Sequence, residues 1–157
     1  MNYSEVEADI LQLIVGATEA DVRAFGEETV TRLVRPELLS GAADDELSAD
    51  AHAALTTACA DVLTISAAEL HDKLATIYDG ILVDDDLDTG LLTAISALAH
   101  WHSYLEQNRR GELYELAIRS VEDVDQEVSA DLGDFLATPE MAAEYARIRR
   151  LLDPGAE

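Results

Sequence analysis

The sequence predicts an all-α protein, a single-domain bundle of roughly seven helices. Apolar residues recur at spacings of three and four along most of the chain, which is the period of a helix with one buried face. Several of these segments follow a Ser or Thr, as helices with an N-cap do. Sustained alternation of apolar and polar residues and an Asn-Gly hairpin signal are both missing. With 157 residues, the whole chain, 1–157, is predicted to be one domain.

The first two helices are predicted from start signals near the N-terminus. Ser4 is followed three residues later by Glu7, and such a pair forms a capping box when the serine accepts the glutamate N–H. Thr18 and Asp21 repeat this spacing before the second helix. Pro36 ends that helix, because proline lacks the N–H that a helix interior needs. The apolar face of the first helix carries Val6, Ile10, Leu13 and Ile14.

Two further helices are predicted in the middle of the chain. Ser48 or Asp50 caps a helix that ends near Leu63, and Ser66 forms a second capping box with Glu69. The apolar residues after this box follow the helical period and predict the next helix. They are Leu70, Leu74, Ile77, Tyr78 and Ile81.

Two segments, about 87–107 and 111–128, carry most of the large apolar residues and are predicted to form a central antiparallel hairpin of helices. A short polar turn ending at Gly111 separates them. In the first segment, apolar positions at spacings of four and three predict a buried seam. The seam consists of Leu91, Ile95, Leu98, His102 and Leu105.

The last helix is predicted from Thr138 as N-cap and Pro139 at the first helical position, where a missing N–H has no cost. Three arginines fall in its final two turns, at Arg147, Arg149 and Arg150. Cations near the C-terminal end of a helix complement its dipole, so we expect these side chains to stabilise the helix end.

The charge of the chain limits its partners. There are 33 acidic and 10 basic residues, a net charge of -23, and Lys73 is the only lysine. Such a surface repels nucleic acid and anionic membranes and speeds encounters with cationic partners. We therefore expect a basic protein partner, with no nucleic-acid and no membrane partner. The same composition also fits a salt-adapted proteome, in which the acidic residues serve no particular partner.

Cysteine content and hydropathy indicate a cytoplasmic protein. Cys59 is the only cysteine, so an internal disulfide is impossible, and its apolar surroundings indicate a small core residue. The sequence starts with acidic residues and lacks a signal-peptide pattern. None of its apolar runs reaches the ~20 residues that span a bilayer.

A run of aspartates precedes the central hairpin and resembles a calcium loop only in part. Asp84, Asp86 and Asp88 occupy the first, third and fifth positions of that spacing. Positions six and twelve, which need glycine and a bidentate glutamate, hold Thr89 and Ile95. The expectation is a solvated loop whose acids complement the N-terminal dipole of the next helix.

His102 and Glu106 are one helical turn apart and could share a metal ion. His100 points about 200° away from them on the same helix and would need a second helix to join. Because His102 lies on the apolar seam, we expect a hydrogen-bonded core histidine.

A second metal hypothesis starts from His71 and Asp72, an adjacent pair with His52 upstream. With one residue of Asp84–Asp88 as the last ligand, the pattern looks like that of the all-helical phosphohydrolases called HD-domain proteins. The final Asp follows too closely, and the lysine and glycine signature of that family is missing. Phosphate-binding glycine loops, GxSxG and HExxH are absent as well. No catalytic residue, metal or cofactor is predicted.

From about residue 51 to 152 the order of helical segments resembles the YjaG-like bacterial proteins, an all-helical family of uncharacterised function. The similar segments read AALTTACADVLTIS, AAELHDKLATIYDGI, GLLTAISALAHW, ELYELAIRSVEDVDQEV and PEMAAEYARIRRLL. The DDDLDTG run stands where that family has a turn with Tyr and Gly. The resemblance implies an all-helical fold and brings no known active site.

These features predict a non-enzymatic, acidic protein-binding module, such as an immunity or inhibitor protein that occludes a basic toxin or nuclease. Two alternatives stay open: a metal-dependent hydrolase of the HD-domain type, and a helical protein whose acidity is only salt adaptation. The predicted partner-binding residues are all acidic. They are Asp84, Asp85, Asp86, Asp88, Glu115, Glu122, Asp123 and Asp125.

Overall fold

The computed structural model describes residues 1–39, 42–83 and 87–155. Those ranges hold eight α-helices and a 3₁₀ turn at Pro36–Leu39, and their only extended pairing is one isolated antiparallel bridge, Leu47 to Ile81. The all-α prediction is confirmed. The helices are α1 (Tyr3–Gly16), α2 (Glu19–Leu33), α3 (Ala42–Glu46), α4 (Ala49–Ala60), α5 (Ala67–Asp79), α6 (Thr89–Gln107), α7 (Arg110–Val128) and α8 (Pro139–Leu152). In the described ranges, no helix combines the length and the apolar character that crossing a bilayer requires.

Most predicted start signals are helix caps in the structure. Thr18, Ser48, Ser66 and Thr138 each accept, through the side-chain oxygen, the N–H of the residue three positions later. The Ser4 prediction is wrong, because Asn2 forms the capping box instead. Its side chain accepts the Glu5 N–H at 2.8 Å, and the Glu5 carboxylate accepts the Asn2 N–H at 3.1 Å.

The chain divides into two compact units. Residues 1–29 and 109–157 form the first, called here the terminal unit, and residues 30–108 form the second, called the central unit. The two segments of the predicted hairpin are α6 and α7, joined by Asn108 and Arg109. Helix α6 belongs to the central unit and α7 to the terminal unit. The antiparallel packing of α6 against α7 stays a prediction, and so does the single-domain organisation of the chain.

In the terminal unit, α1, α7 and α8 pack against one another. At one edge of α1 the rings of Tyr3 and Phe135 meet edge to face, with centroids 4.9 Å apart. Elsewhere along α1, Asp9 accepts a hydrogen bond from the Tyr145 hydroxyl and another at 3.0 Å from Arg149 of α8. Polar contacts therefore join the first and last helices of the chain.

Arg110 holds the C-terminal end of α1. Its Nη1 donates to the carbonyls of Ile14, Val15 and Ala17 at 2.7, 3.2 and 2.6 Å. The last carbonyls of a helix have no partner within the helix and carry its partial negative charge, so a guanidinium at that place satisfies both needs.

The terminal unit also buries a polar cluster. Arg147 donates through Nη2 to Glu144 at 2.7 Å, and the Ser120 hydroxyl donates to the same carboxylate at 2.6 Å. Both Nη nitrogens of Arg147 also donate hydrogen bonds to the Thr29 hydroxyl oxygen, each at 3.3 Å. The side chains of Arg147 and Glu144 are only 10% and 3% exposed. Their charges are thus compensated by each other and by hydroxyl groups.

In the central unit, α5 packs against both α4 and α6. Trp101 of α6 is buried, and its indole N–H donates to the Val62 carbonyl at 3.2 Å. Glu46 fixes the connection between α5 and α6 at two points, since its carbonyl accepts the Leu82 N–H and its carboxylate accepts the Asp88 N–H, each at 2.8 Å.

Candidate functional site

The predicted acidic residues around the start of α6 have different outcomes. Asp84, Asp85 and Asp86 lie outside the described residues. Asp88 is the N-cap of α6, and its carboxylate accepts the Leu91 N–H at 3.2 Å. Asp88 therefore stabilises the helix start, as expected for an acid at the positive end of the helix dipole.

The predicted acidic residues on α7 also differ from one another. Glu115 and Glu122 are exposed and lie two helical turns apart, on one face of the helix. Arg119 lies between them and approaches Glu122 to 3.3 Å. Asp123 is half-buried, whereas Asp125 accepts the Ala130 N–H at 2.8 Å and so closes the end of α7. Glu115 and Glu122 are the two that present their carboxylates to solvent.

Two tyrosines accompany these glutamates, a combination that the sequence did not reveal. Burial raises the pKa of Tyr3 to about 12, with added contributions from the nearby Glu7, Glu122 and Tyr114. The pKa of Tyr114 is raised by burial and then by Glu7 and Glu115. Tyr3, Glu7, Tyr114, Glu115 and Glu122, on the adjacent helices α1 and α7, are called here the acidic tyrosine face.

The raised pKa of Tyr3 predicts a loss of stability in alkali. The unfolded tyrosine ionises near pH 10, and the folded one near 12. Folding therefore keeps its full contribution from Tyr3 below pH 10 and loses it as the pH rises through 12. In a titration followed by tyrosinate absorbance, Glu7→Gln is expected to lower the pKa of the last tyrosine to ionise. Glu19→Gln, on exposed surface elsewhere, should leave it unchanged, and an equal shift in both variants would contradict the assignment.

The described residues of the HD-type hypothesis, His52, His71 and Asp72, are not grouped as ligands of one metal ion. His52 of α4 lies 3.5 Å from Asp44, while His71 and the exposed Asp72 are on α5. Within the described ranges, no three His, Cys, Asp or Glu side chains are grouped so that they could hold one metal ion. The geometry of this part of the chain therefore gives the hydrolase hypothesis no support.

Two histidines that the sequence separated come together between α5 and α6. The rings of His71 and His102 have centroids 5.5 Å apart. Both line a hollow of about 270 Å³, called here the α5–α6 groove. Its remaining lining residues are Leu74, Ala75, Tyr78, Ala99 and Ser103. On each helix these positions follow spacings of three and four, so each helix contributes one face.

His102 is largely buried, as predicted, but the expected hydrogen bond is missing. Its Nε2 is inaccessible to solvent and makes no hydrogen bond to any described residue. A carboxylate oxygen of Glu106 lies 2.9 Å from it. The two groups form an ion pair when the imidazole is protonated. His102 thus lines the groove, while its Nε2 atom is closed to solvent.

Cys59 offers no reactive group. Burial raises the pKa of its thiol to about 12. The thiolate, which is the nucleophilic form, is therefore scarcely populated at neutral pH. This fits the predicted role as a small packing residue.

Comparison with protein-family models, with curated proteins and with solved structures finds no match. The resemblance to the YjaG-like proteins therefore stays a prediction.

Proposed function

We propose that this protein is a non-enzymatic binding module that recognises a basic protein through its acidic tyrosine face. The observation that supports the proposal is the grouping of Tyr3 and Tyr114 with three carboxylates on two packed helices. Helices hold these side chains on a fixed framework, so little conformational entropy is lost when a partner docks.

The chemistry of the face suits a cationic protein surface. Tyrosine is enriched among the residues that dominate binding energy, because it offers a large apolar ring with a polar end. Exposed carboxylates such as Glu115 and Glu122 steer a basic partner towards the face and disfavour acidic proteins. The tyrosine rings would supply most of the affinity, and the carboxylates would raise the association rate and the selectivity.

An immunity or inhibitor protein is the form of this function that we favour. A basic toxin or nuclease exposes Lys and Arg to hold an anionic substrate, and an acidic rigid module can cover the same cations. The action would be occlusion, in the cytoplasm, and would need no catalytic residue in the module. The net charge of -23 favours rapid capture of such a target.

The test is a pull-down from cell lysate with the immobilised protein, eluted by rising salt. We expect a basic protein that is released at high salt, because screening weakens exposed charge pairs. The variant Glu115→Gln with Glu122→Gln should retain on the order of tenfold less of it, equivalent to about 1.4 kcal/mol. Asp50→Asn with Asp61→Asn removes the same charge from exposed positions of the central unit and should retain the wild-type amount. Failure to retain any salt-sensitive basic protein, or an equal loss in both variants, contradicts the proposal.

The even spread of acids supports a second candidate, a helical protein whose acidity serves only salt adaptation. The terminal unit holds 19 acidic and 7 basic residues, and the central unit holds 14 and 3. Excess acid is therefore present in both units in similar measure. This candidate requires that added salt raises the urea concentration at the midpoint of unfolding, since salt relieves the repulsion between the acidic residues. It also requires that the pull-down retains no specific partner.

A further inference from the structure

We propose that a basic partner of this protein places a large apolar side chain on Leu132, in the turn next to the acidic tyrosine face. The turn consists of residues 131–135, between α7 and α8. The inference rests on the proposed function and deepens it, because it states what the docking segment of the partner carries. That segment combines one large apolar side chain with Lys or Arg on both sides of it.

The turn is joined to the acidic tyrosine face at Tyr3. The Tyr3 N–H donates to the Leu132 carbonyl at 2.9 Å, and the Phe135 N–H donates to the Met1 carbonyl at the same distance. The rings of Tyr3 and Phe135 also meet edge to face. Leu132 and the acidic tyrosine face therefore lie next to each other in the terminal unit, within reach of a single segment of a partner.

Leu132 is exposed although the residues around it are well packed. It is 65% exposed, whereas Phe135, three residues later, is 1% exposed. Met1, whose carbonyl binds the same turn, is 45% exposed. Removing apolar surface from water favours association, and the buried centre of an interface is more apolar than the rest of it. Leu132 with Met1 can supply such a centre beside the tyrosines.

Hydrogen bonds hold the turn in the conformation that presents Leu132. The Asp131 carboxylate accepts the Gly133 N–H at 2.7 Å, and the Asp131 carbonyl accepts the Asp134 N–H at 3.2 Å. The bond from the Tyr3 N–H fixes the Leu132 carbonyl itself. A side chain on an ordered backbone loses less conformational entropy on docking than one on a flexible segment. Leu132 is thus prepared for a partner before the partner arrives.

The charges around Leu132 select a basic segment. Its neighbours on the turn, Asp131 and Asp134, are exposed. Residues 1–22 and 120–146, which contain α1, the end of α7 and the turn, include no Lys, Arg or His. The next cation along α7, Arg119, is paired with Glu122 at 3.3 Å. Lys or Arg of the partner would meet carboxylates here, whereas a second copy of this chain or an anionic membrane would be repelled.

The test compares two capped peptides, each with four lysines around a central residue that is phenylalanine in one and serine in the other. Binding is followed by NMR, because a phenylalanine ring over Leu132 shifts its methyl signals. We expect the phenylalanine peptide to bind about five- to tenfold more tightly, since its ring covers apolar surface. Leu132→Ser should remove this difference and leave the weaker binding by charge. Leu82→Ser is the matched control, since Leu82 is 62% exposed in the central unit, and should keep the difference.

Both leucines are exposed, so neither substitution is expected to unfold the protein, and the midpoint of urea unfolding checks this. Added salt, or Glu115→Gln with Glu122→Gln, should weaken the binding of both peptides alike. Equal binding of the two peptides, absence of binding, or an undiminished difference in Leu132→Ser overturns the inference. Equal, salt-sensitive binding leaves the proposed function standing. A difference that depends on Leu132, with no basic protein retained in the pull-down, contradicts the proposed function alone.

Discussion

Replacing Arg147 with methionine is expected to lower the free energy of unfolding by about 3–5 kcal/mol. The substitution leaves Glu144 buried without its cation, since the two side chains are 2.7 Å apart and 3% of Glu144 is exposed. The hydroxyl oxygens of Ser120 and Thr29 also lose the Arg147 N–H groups from which they accept. Urea unfolding followed by circular dichroism measures the effect, with the slope against urea expected to stay constant.

A double variant separates the cost of an unpaired charge from the value of the pair. Glu144→Leu with Arg147→Met removes both charges, and apolar replacements of buried ion pairs are often neutral or stabilising. It should therefore be more stable than Arg147→Met alone. Arg23→Met is the matched control: its pair with Glu27 spans 3.9 Å, both side chains are 39–47% exposed, and an exposed pair contributes about 0–1 kcal/mol. A loss of equal size at Arg23 would contradict the role assigned to burial.

Gly80→Ala is expected to destabilise the central unit by about 1–3 kcal/mol, the usual range for overpacking. Added to Gly80, a Cβ would overlap Ser48 Oγ and the Cβ of Ala51. Ser48 cannot move freely, because its hydroxyl caps α4 and its N–H donates to the Gly80 carbonyl at 2.8 Å. Ala51 is fully buried. The close contact of α4 with α5 therefore depends on the missing side chain.

Urea unfolding again provides the measurement, with Gly111→Ala as control. A Cβ at Gly111 would meet no atom within 4 Å, and alanine is the better helix former, so this change should be neutral or stabilising by up to about 1 kcal/mol. Adding Ala51→Gly to Gly80→Ala should restore part of the loss, since it removes one of the two obstacles. If Gly80→Ala has the same midpoint of urea unfolding as the wild type, the close approach of α4 to Gly80 does not contribute to stability.

Local sequence signals predicted the helices well, because their causes lie within one helical turn. Ser66 with Glu69, and Thr138 with Met141, are contacts between residues three positions apart. The error at Ser4 has the same local origin: Asn2 offers a cap of equal strength two residues earlier. Apolar spacing likewise placed Leu91, Ile95 and Leu98 in the core.

The candidate sites were harder to predict from the sequence, because the residues that form them are distant from one another along the chain. Arg147 was predicted to complement a helix dipole; it is buried, and its hydrogen bond to the Thr29 hydroxyl joins residues 118 positions apart. His71 and His102 were weighed in different hypotheses, and only the packing of α5 on α6 joins them. Periodicity identifies the buried face of a helix and cannot say which other helix covers it.

The division of the chain into units has a consequence for its biosynthesis. The central unit is one continuous segment, whereas the terminal unit combines residues 1–29 with 109–157. Asp9 and Arg149, joined at 3.0 Å, are 140 residues apart. During translation, α1 leaves the ribosome long before α7 and α8 are synthesised. Its apolar face therefore stays exposed to solvent while the whole central unit is synthesised. The first helix is therefore among the last to form its native contacts. Its acidic residues help to keep the nascent chain in solution until then.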